Sequence, residues 1–383
     1  MAKKATRKNT GTKAKQAVRG NGARADTRDQ IVGIAETVIK HIDASQNPTI
    51  EVPSRTLSNI SFNRRKGIIE MGDAKSDRPF FDLGNARRFM QTMLMSGELL
   101  KLQDQRKTAS IRDMFYRCKH TVAGAKEETF NDQSESDPII EDLEVTLGSL
   151  REELRIFAEP RGAMVGPMTV RDTGDEIDLS RMGSGGWSIP SIVEPGVIEF
   201  PKHKAKFILL IEKGAVWARF NEDRFWDKHR CMIIHGSGQP PRGVRRLCHR
   251  MANELGLPLY VLVDNDPWGY YIYSVVKQGS INLAYESLRM AIPKARFLGM
   301  SSYDAAEFDI SSSVMLHLND KDIQRAKEIM NYPWFADRRW QREIKHMLKL
   351  GVKLELEALS NKDFSFIVDT YVPAKLKKRK WLD

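Results

Sequence analysis

Leu257-Pro258-Leu259-Tyr260-Val261-Leu262-Val263-Asp264-Asn265-Asp266-Pro267-Trp268-Gly269 decides the fold. A short apolar run rich in Leu, Val and Tyr, closed by Pro and Gly, reads as a buried strand. It stops where an acidic pair begins. Side chains two apart on an extended chain point to the same side. Asp264 and Asp266 therefore face one spot at the strand's carboxyl end, where open α/β sheets place their sites. Two carboxylates that close repel unless a cation lies between them, and Mg2+ is the hard, oxygen-preferring ion for such a pair. A strand-end Asp-x-Asp is also a common helix cap or solvated turn, so the pair by itself leaves both readings open.

Two further stretches are built alike. Lys206-Phe207-Ile208-Leu209-Leu210-Ile211 ends in a single carboxylate, Glu212. Cys231-Met232-Ile233-Ile234 ends in His235-Gly236-Ser237-Gly238-Gln239-Pro240-Pro241, ahead of a basic helical segment over 244–255. Strands alternating with helical segments outline a parallel α/β sheet. Such a sheet brings Glu212, Asp264 and Asp266 to one edge. After Gly269 the pattern gives helices over 270–278 and 281–290 and a strand over 293–299. Closing helices follow over 319–330, 340–349 and 354–359, with Asn319 as an N-cap.

A chain of 383 residues suffices for two domains. No apolar run has the length of a bilayer, and no apolar segment follows the basic N-terminus as a signal peptide requires, so no membrane partner is expected. The three cysteines, Cys118, Cys231 and Cys248, form neither a C-x-x-C pair nor a disulfide framework, which suits a reducing interior. A net charge of +11 suits a polyanionic partner. Residues 1–28 read as a disordered basic tail, solubilising or phosphate-attracting. Residues 377–383 read as a second basic tail.

Between the tails, residues 29–42 and 85–102 carry apolar positions at helical spacing, and Ser110 is placed to cap another helix. On that helix Arg112 and Tyr116 are four apart and share a face, with Asp113 beside them. Residues 127–141 are acidic and polar and read as a loop; 143–157 return to helical spacing. Met182-Gly183-Ser184-Gly185-Gly186-Trp187 lacks the Gly-Lys-Ser/Thr of a P-loop and reads as a tight turn, so no ATP site is expected in this chain. A linker over 151–200 divides the two domains.

Pro53-Ser54-Arg55-Thr56-Leu57-Ser58-Asn59, Ser110-Ile111-Arg112-Asp113-Met114-Phe115-Tyr116, Ile211-Glu212-Lys213, the acidic stretch from Val263 to Gly269, and Gly279-Ser280-Ile281-Asn282-Leu283 occur together. With these segments the chain, from about residue 53 to 376, resembles the A subunits of archaeal-type DNA topoisomerase VI. These are relatives of the transesterase that makes meiotic double-strand breaks. The resemblance implies an α/β plus helical fold. An N-terminal winged-helix (CAP-like) DNA-binding domain over 29–150 would carry the tyrosine. A toprim-type parallel α/β domain with C-terminal helices would follow over 201–376.

The same resemblance implies site roles. Tyr116 would be the nucleophile; relatives often have two tyrosines in tandem, and here Phe115 stands first. Mg2+ would be held by Glu212, Asp264 and Asp266, with Glu212 serving as ligand or as proton shuttle. Arg112 would neutralise the attacked phosphate, and Arg55 and Lys213 would join it in contacting DNA. The reaction would be a transesterification leaving a 5′-phosphotyrosyl link and a free 3′-hydroxyl. A phenol with a pKa of about 10 needs a proton acceptor and a neighbouring positive charge to attack at neutral pH.

The implied partners are double-stranded DNA, a second copy of the chain whose metal site takes this chain's tyrosine, and a GHKL-type ATPase B subunit. In the resulting A2B2 assembly the B subunit uses the ATP. The implied location is cytoplasmic, with the nucleoid. A break-forming transesterase of the same superfamily, acting without resealing or without an ATPase partner, is the alternative. A non-catalytic DNA-binding protein is a third reading. Gly214, Ser237 and Pro241 depart from the relatives' pattern, which bears on DNA affinity and metal tuning and leaves the three acids intact.

Overall fold

Asp26 accepts a hydrogen bond from Arg28 N at 3.2 Å and opens α1 (Thr27–Asp43). The helix thus begins inside the segment read as a tail. The computed structural model describes residues 26–379 and 381–383, and the rest of that tail lies outside the described residues. Ile31 and Val38 are buried, whereas Ile39 and Ile42, counted by spacing on the packed side, are exposed. α2 (Ala86–Gln105) buries Phe89, Met95, Leu99 and Leu102. Ala109–Ser110 then pair in parallel with Ile156–Phe157, and α3 (Ile111–Cys118) follows at once.

The loop expected over 127–141 ends early. Asp132 accepts from Ser134 N at 2.7 Å and opens α4 (Gln133–Leu147). Ile139, Ile140, Leu143 and Leu147 give α4 one apolar face in a core shared with Met95, Leu99, Met114 and Phe115. Packing of that face outweighs the polar first turn, as it does for most helices in proteins. The helix stops at Gly148, whose φ of 60° is left-handed, so the helical spacing over 143–157 does not continue.

Residues 151–200 are folded rather than a linker. Met168–Asp172, Asp175–Asp178 and Ile198–His203 form a three-stranded antiparallel sheet. Thr173 (φ 49°) and Gly174 (φ 105°) supply the two left-handed residues that a tight hairpin turn needs. β1 (Ala163–Val165) and β2 (Trp187–Ser188) pair antiparallel at the edge of the main sheet. The glycine stretch before β2 is a turn, held by Asn221 Nδ2 donating to Gly183 O at 2.9 Å and Ser184 O at 3.2 Å.

The main sheet continues with β3 (Phe207–Ile211), β4 (Cys231–His235), β5 (Leu259–Leu262) and β6 (Arg296–Phe297), in the order β2-β1-β4-β3-β5-β6. β4, β3, β5 and β6 are mutually parallel, as their apolar runs required. Residues from β3 divide between two apolar clusters, one on each face of the sheet, which explains why the strand is apolar on both sides. The connections are α5 (Gly214–Glu222), α6 (Arg242–Glu254) and α7 (Pro267–Gln278). The chain leaves β3 for β4 on one side and returns to β5 on the other. The carboxyl ends of β3 and β5 therefore flank a topological switch point.

α8 (Asp320–Met330) starts at Asn319, which exchanges capping bonds with Asp322; α9 (Arg338–Leu350) follows. The helix expected over 354–359 is instead an extended entry and a 3-10 turn. Val352–Lys353 pair with Leu316–His317, Leu354 bridges Asn265, and turning begins at Leu356. α10 (Val372–Lys378) buries Lys375 against Asp304 at 2.7 Å and Gly299 O at 2.5 Å. The terminal residues are docked rather than a solvated tail: Trp381 packs on Tyr260, and Asp383 Oδ1 accepts from Phe297 N at 3.0 Å. The N-terminal and sheet-bearing halves meet through charge. Buried Glu144 on α4 accepts from Arg242 Nη1 on α6 at 2.6 Å, Arg151 Nε at 2.6 Å and Tyr285 OH at 2.7 Å.

Candidate active site

Parallel register sets Ile211 beside Leu262, so the residues that follow each strand are neighbours. Glu212 N donates to Leu262 O at 3.0 Å, and Asp264 N donates to Glu212 Oε2 at 3.3 Å. The glycine loop after β4 closes the other side, with Gly238 N donating to Glu212 O at 2.9 Å. Asp264 is only 3% exposed; its Oδ1 accepts from Leu356 N at 2.8 Å and its Oδ2 meets Lys213 Nζ at 2.8 Å.

Asp266 caps α7, accepting from Gly269 N at 2.6 Å. The cap reading and the acidic-site reading are thus both realised in one residue. Gly269 is required by close approach: a Cβ there would lie 2.7 Å from Asp264 O and 3.3 Å from Asp266 Oδ1. Behind the loop, Asn265 pairs with Leu354 through two backbone bonds, N to O at 2.9 Å and the reciprocal at 3.1 Å. Buried Glu343 accepts from Tyr270 OH and Ser302 N, each at 2.6 Å, and fixes the loop from below.

Crowded acids resist ionisation. Burial, then the charges of Asp264 and Asp266, push the Glu212 carboxyl up to about 8. Burial likewise pushes Asp264 up to about 6 against the pull of Lys213 and the Leu356 N–H. Asp266 is raised by burial, with the Gly269 N–H opposing. Among the described residues no three Asp, Glu, His or Cys side chains already form a cation cage. Asp266 is turned to its helix and Asp264 to Lys213, and among the described residues the three acids do not form the expected cluster. The donors are all carboxylate oxygens and the site raises every one of their pKa values. Both features fit a hard divalent cation.

Tyr116 lies on α3, which a capping box starts: Ser110 Oγ accepts from Asp113 N at 3.0 Å, and Asp113 accepts from Ser110 N at 2.9 Å. Asp113 is thus a capping residue, and its carboxyl is held low by the Ser110 N–H. Phe115 is buried and anchors the helix, while Tyr116 is 59% exposed. Arg112 Cζ sits 6.0 Å from the Tyr116 ring centre. Its pKa is raised, first by the neighbouring Tyr116 side chain. Among the described residues no hydrogen bond, ion pair or ring contact joins Tyr116 to Glu212, Asp264 or Asp266.

Two basic residues assigned to DNA are already engaged. Arg55 binds Asp142 at 2.8 Å, Glu141, and the carbonyls of Pro138 at 3.1 Å and Asn282 at 3.4 Å, so it ties α4 to the sheet-bearing half and is not a free DNA contact. Lys213 binds Asp264, Glu355 at 3.1 Å and Glu357 at 2.8 Å. Glu355 and Glu357 escaped the sequence reading. The alternation Lys353-Leu354-Glu355-Leu356-Glu357 was the available signal, since period two sets both glutamates on one side of an extended segment.

Comparison with known proteins covers nearly the whole chain. Residues 207–376 match the family profile of the Toprim domain shared by the topoisomerase 6 A chain and Spo11. Residues 87–156 match the profile described as "Type IIB DNA topoisomerase". Residues 159–204 match the profile of the all-beta domain in the alpha chain of DNA topoisomerase VI. The last span covers the β-sheet unit that stands where a linker was expected. Among similar proteins is the A chain of type 2 DNA topoisomerase 6 from Pyrococcus abyssi, 41% identical over 363 residues, covering 91% of this chain and 93% of that one. Its counterpart from Pyrococcus horikoshii is 42% identical over 359 residues, with 91% and 93% covered. The counterpart from Sulfurisphaera tokodaii is 38% identical over 379 residues, with 94% and 97% covered.

Proposed function

This chain belongs to the family of type 2 DNA topoisomerase 6 A subunits, and from that membership we propose that it is the DNA-cleaving and religating subunit of an ATP-dependent type IIB topoisomerase. The observation that carries the reading is the meeting of Glu212 and Asp264 at the ends of adjacent parallel strands, with their carboxyls pushed up to about 8 and about 6. Such a pair is short of positive charge, as a metal-dependent phosphoryl-transfer site is before its ion arrives.

Tyr116 Oη attacks a backbone phosphorus. The P–O3′ bond breaks, a P–O bond to tyrosine forms, the phenol proton passes to solvent, and the 3′-oxygen takes up a proton. One phosphodiester replaces another, so the reverse step reseals without external energy. Arg112, whose guanidinium carbon lies 6.0 Å from the Tyr116 ring centre, offsets phosphate charge during attack. Buried Phe115 and the Ser110–Asp113 cap keep α3 from fraying, so the phenol is presented in one place. A divalent cation, Mg2+ by the chemistry of its donors, supplies charge neutralisation at the 3′-oxygen or the adjacent phosphate. Glu212, Asp264 and Asp266 are the residues to hold it.

The α2–α3 pair supports a winged-helix (CAP-like) DNA-binding unit for the N-terminal domain. Double-stranded DNA, a second copy of this chain and a GHKL-type ATPase B subunit in an A2B2 assembly complete the reading. A cytoplasmic, nucleoid-associated location follows from the substrate. The test is a denaturing gel for protein-linked DNA in Mg2+, with and without the B subunit. The wild type yields a 5′-linked adduct; Tyr116→Phe yields none while binding DNA near wild-type affinity. An adduct formed by Tyr116→Phe removes Tyr116 as the nucleophile. Persistent breaks without plasmid relaxation favour the non-resealing alternative.

A further inference from the structure

Asp264 has two oxygens, and the fold assigns each a partner. Oδ1 is fixed by the Leu356 N–H at 2.8 Å. Oδ2 is held by Lys213 Nζ at 2.8 Å. The same ammonium reaches Glu357 at 2.8 Å and Glu355 at 3.1 Å. A cation bound through Oδ2 beside Glu212 competes with Lys213 for that oxygen.

We propose that Lys213 is a built-in counter-cation that occupies Asp264 Oδ2 until a divalent metal takes it, and that Glu355 and Glu357 retain the ammonium when it is displaced. The inference rests on reading Glu212, Asp264 and Asp266 as the metal site. Four features carry it. A carboxylate as buried as Asp264 is strongly destabilising without a partner, so the metal-free protein needs a resident positive charge. Lys213 is the residue before α5 and has a flexible four-carbon stem with three donors, so losing Asp264 leaves two acceptors within reach. The two glutamates are 44% and 43% exposed, so the ammonium moves toward water as it leaves the buried oxygen. Leu356 lies between them with its side chain buried and its N–H on Asp264, which couples their position to the acid loop. Metal affinity is then set by a contest between two cations rather than by the acids alone.

Mn2+ binding to the full chain, read by loss of the free-ion EPR signal and by calorimetry at fixed pH, tests this without any cleavage assay. Lys213→Met is expected to tighten Mn2+ binding by roughly tenfold or more, because a competing charge leaves a weakly screened site. The double variant Glu355→Gln/Glu357→Gln is expected to weaken binding, because Lys213 then rests more firmly on Asp264. In the Lys213→Met background the same glutamine pair is expected to have a much smaller effect, the coupling that a double-mutant cycle isolates. The glutamine pair reads the contest without emptying Asp264, so it serves even where Lys213→Met folds poorly. Unchanged or weaker binding in Lys213→Met overturns the inference. So does equal weakening by the glutamines with and without Lys213, which makes them ligands or background field. Absence of binding that depends on Asp264, judged with Asp264→Asn, overturns the metal reading and this inference with it.

Discussion

Metal affinity rises steeply with pH if the acids at the switch point are the ligands. The Glu212 carboxyl is pushed up to about 8 and Asp264 up to about 6, so at neutral pH the metal-free site still holds a proton on Glu212. A divalent ion must displace it. Ionising both groups lowers the apparent affinity about 200-fold at pH 6 and about twofold at pH 8, a net gain of roughly 100-fold across the interval. About one proton per ion leaves at pH 7. Calorimetric titration with Mg2+ or Mn2+ at pH 6, 7 and 8, in buffers of different ionisation enthalpy, measures both quantities. Glu212→Gln is expected to bind more weakly at every pH and to lose most of the slope.

Stability moves the other way in the metal-free protein. A carboxyl raised from 4.5 to about 8 stabilises the fold below pH 4.5, and that contribution disappears as pH rises through 8. The metal-free melting temperature therefore carries a downward trend from Glu212 between pH 6 and 8, while saturating Mg2+ suppresses it. A metal affinity flat within about threefold from pH 6 to 8, or binding without proton release, refutes the assignment of Glu212 as a buried ligand.

Gly269→Ala drives a methyl group to 2.7 Å from Asp264 O, backbone that cannot give way without moving the acid loop. It is expected to abolish Mn2+ binding and the DNA adduct together; wild-type affinity by EPR would show that the loop is looser than its contacts imply. Ser110→Ala removes the hydroxyl that caps α3 and is expected to lower unfolding free energy by about 1 kcal/mol in urea titration. It should reduce adduct yield without changing Mn2+ affinity, because the cap serves the tyrosine and not the acids. Mixing Tyr116→Phe chains with Asp264→Asn chains is expected to restore single-strand nicking, each dead alone, since one intact tyrosine then meets one intact acid set across the proposed dimer. No nicking in verified mixed dimers would put both groups in one chain.

The parallel core was legible because its strands are short, apolar on both faces and closed by acids or glycines. Phe207–Ile211 and Leu259–Leu262 admit few other structures, and the acids after them fall where the sheet delivers them. Misreadings came where long-range packing overrides local composition. Residues 133–141 are polar in their first turn, yet Ile139, Ile140 and Leu143 find a core built by α2 and α3. The β-unit after residue 160 carries only a few inward apolar residues among charges and glycines, so it reads as a connection. Asp383 looks like a solvated tail residue until Phe297 is seen to receive it. Arg55 and Lys213 show the limit for the site itself. Their charge is plain from residue type, whereas only the fold reveals which acids stand nearby.

The ionic joint between the halves bears on how one tyrosine finds its acids. Glu144 has no exposed side-chain surface and holds Arg242; Arg289 adds a bond to Glu152 at 2.9 Å, and Arg55 adds one to Asn282 O at 3.4 Å. Parting one such buried pair costs about 3–5 kcal/mol, because each charge is left without water or partner. α3 shares its core with α4, the helix that carries Glu144 and Asp142, so it does not swing alone. The phenol of one chain is thus fixed relative to that chain's own acids, with no contact between them among the described residues. On the reading proposed above, such a molecule would bring phenol and acids together by pairing with a second copy, and opening a cut duplex would then mean separating two copies at their shared surface rather than unfolding the joint within either one.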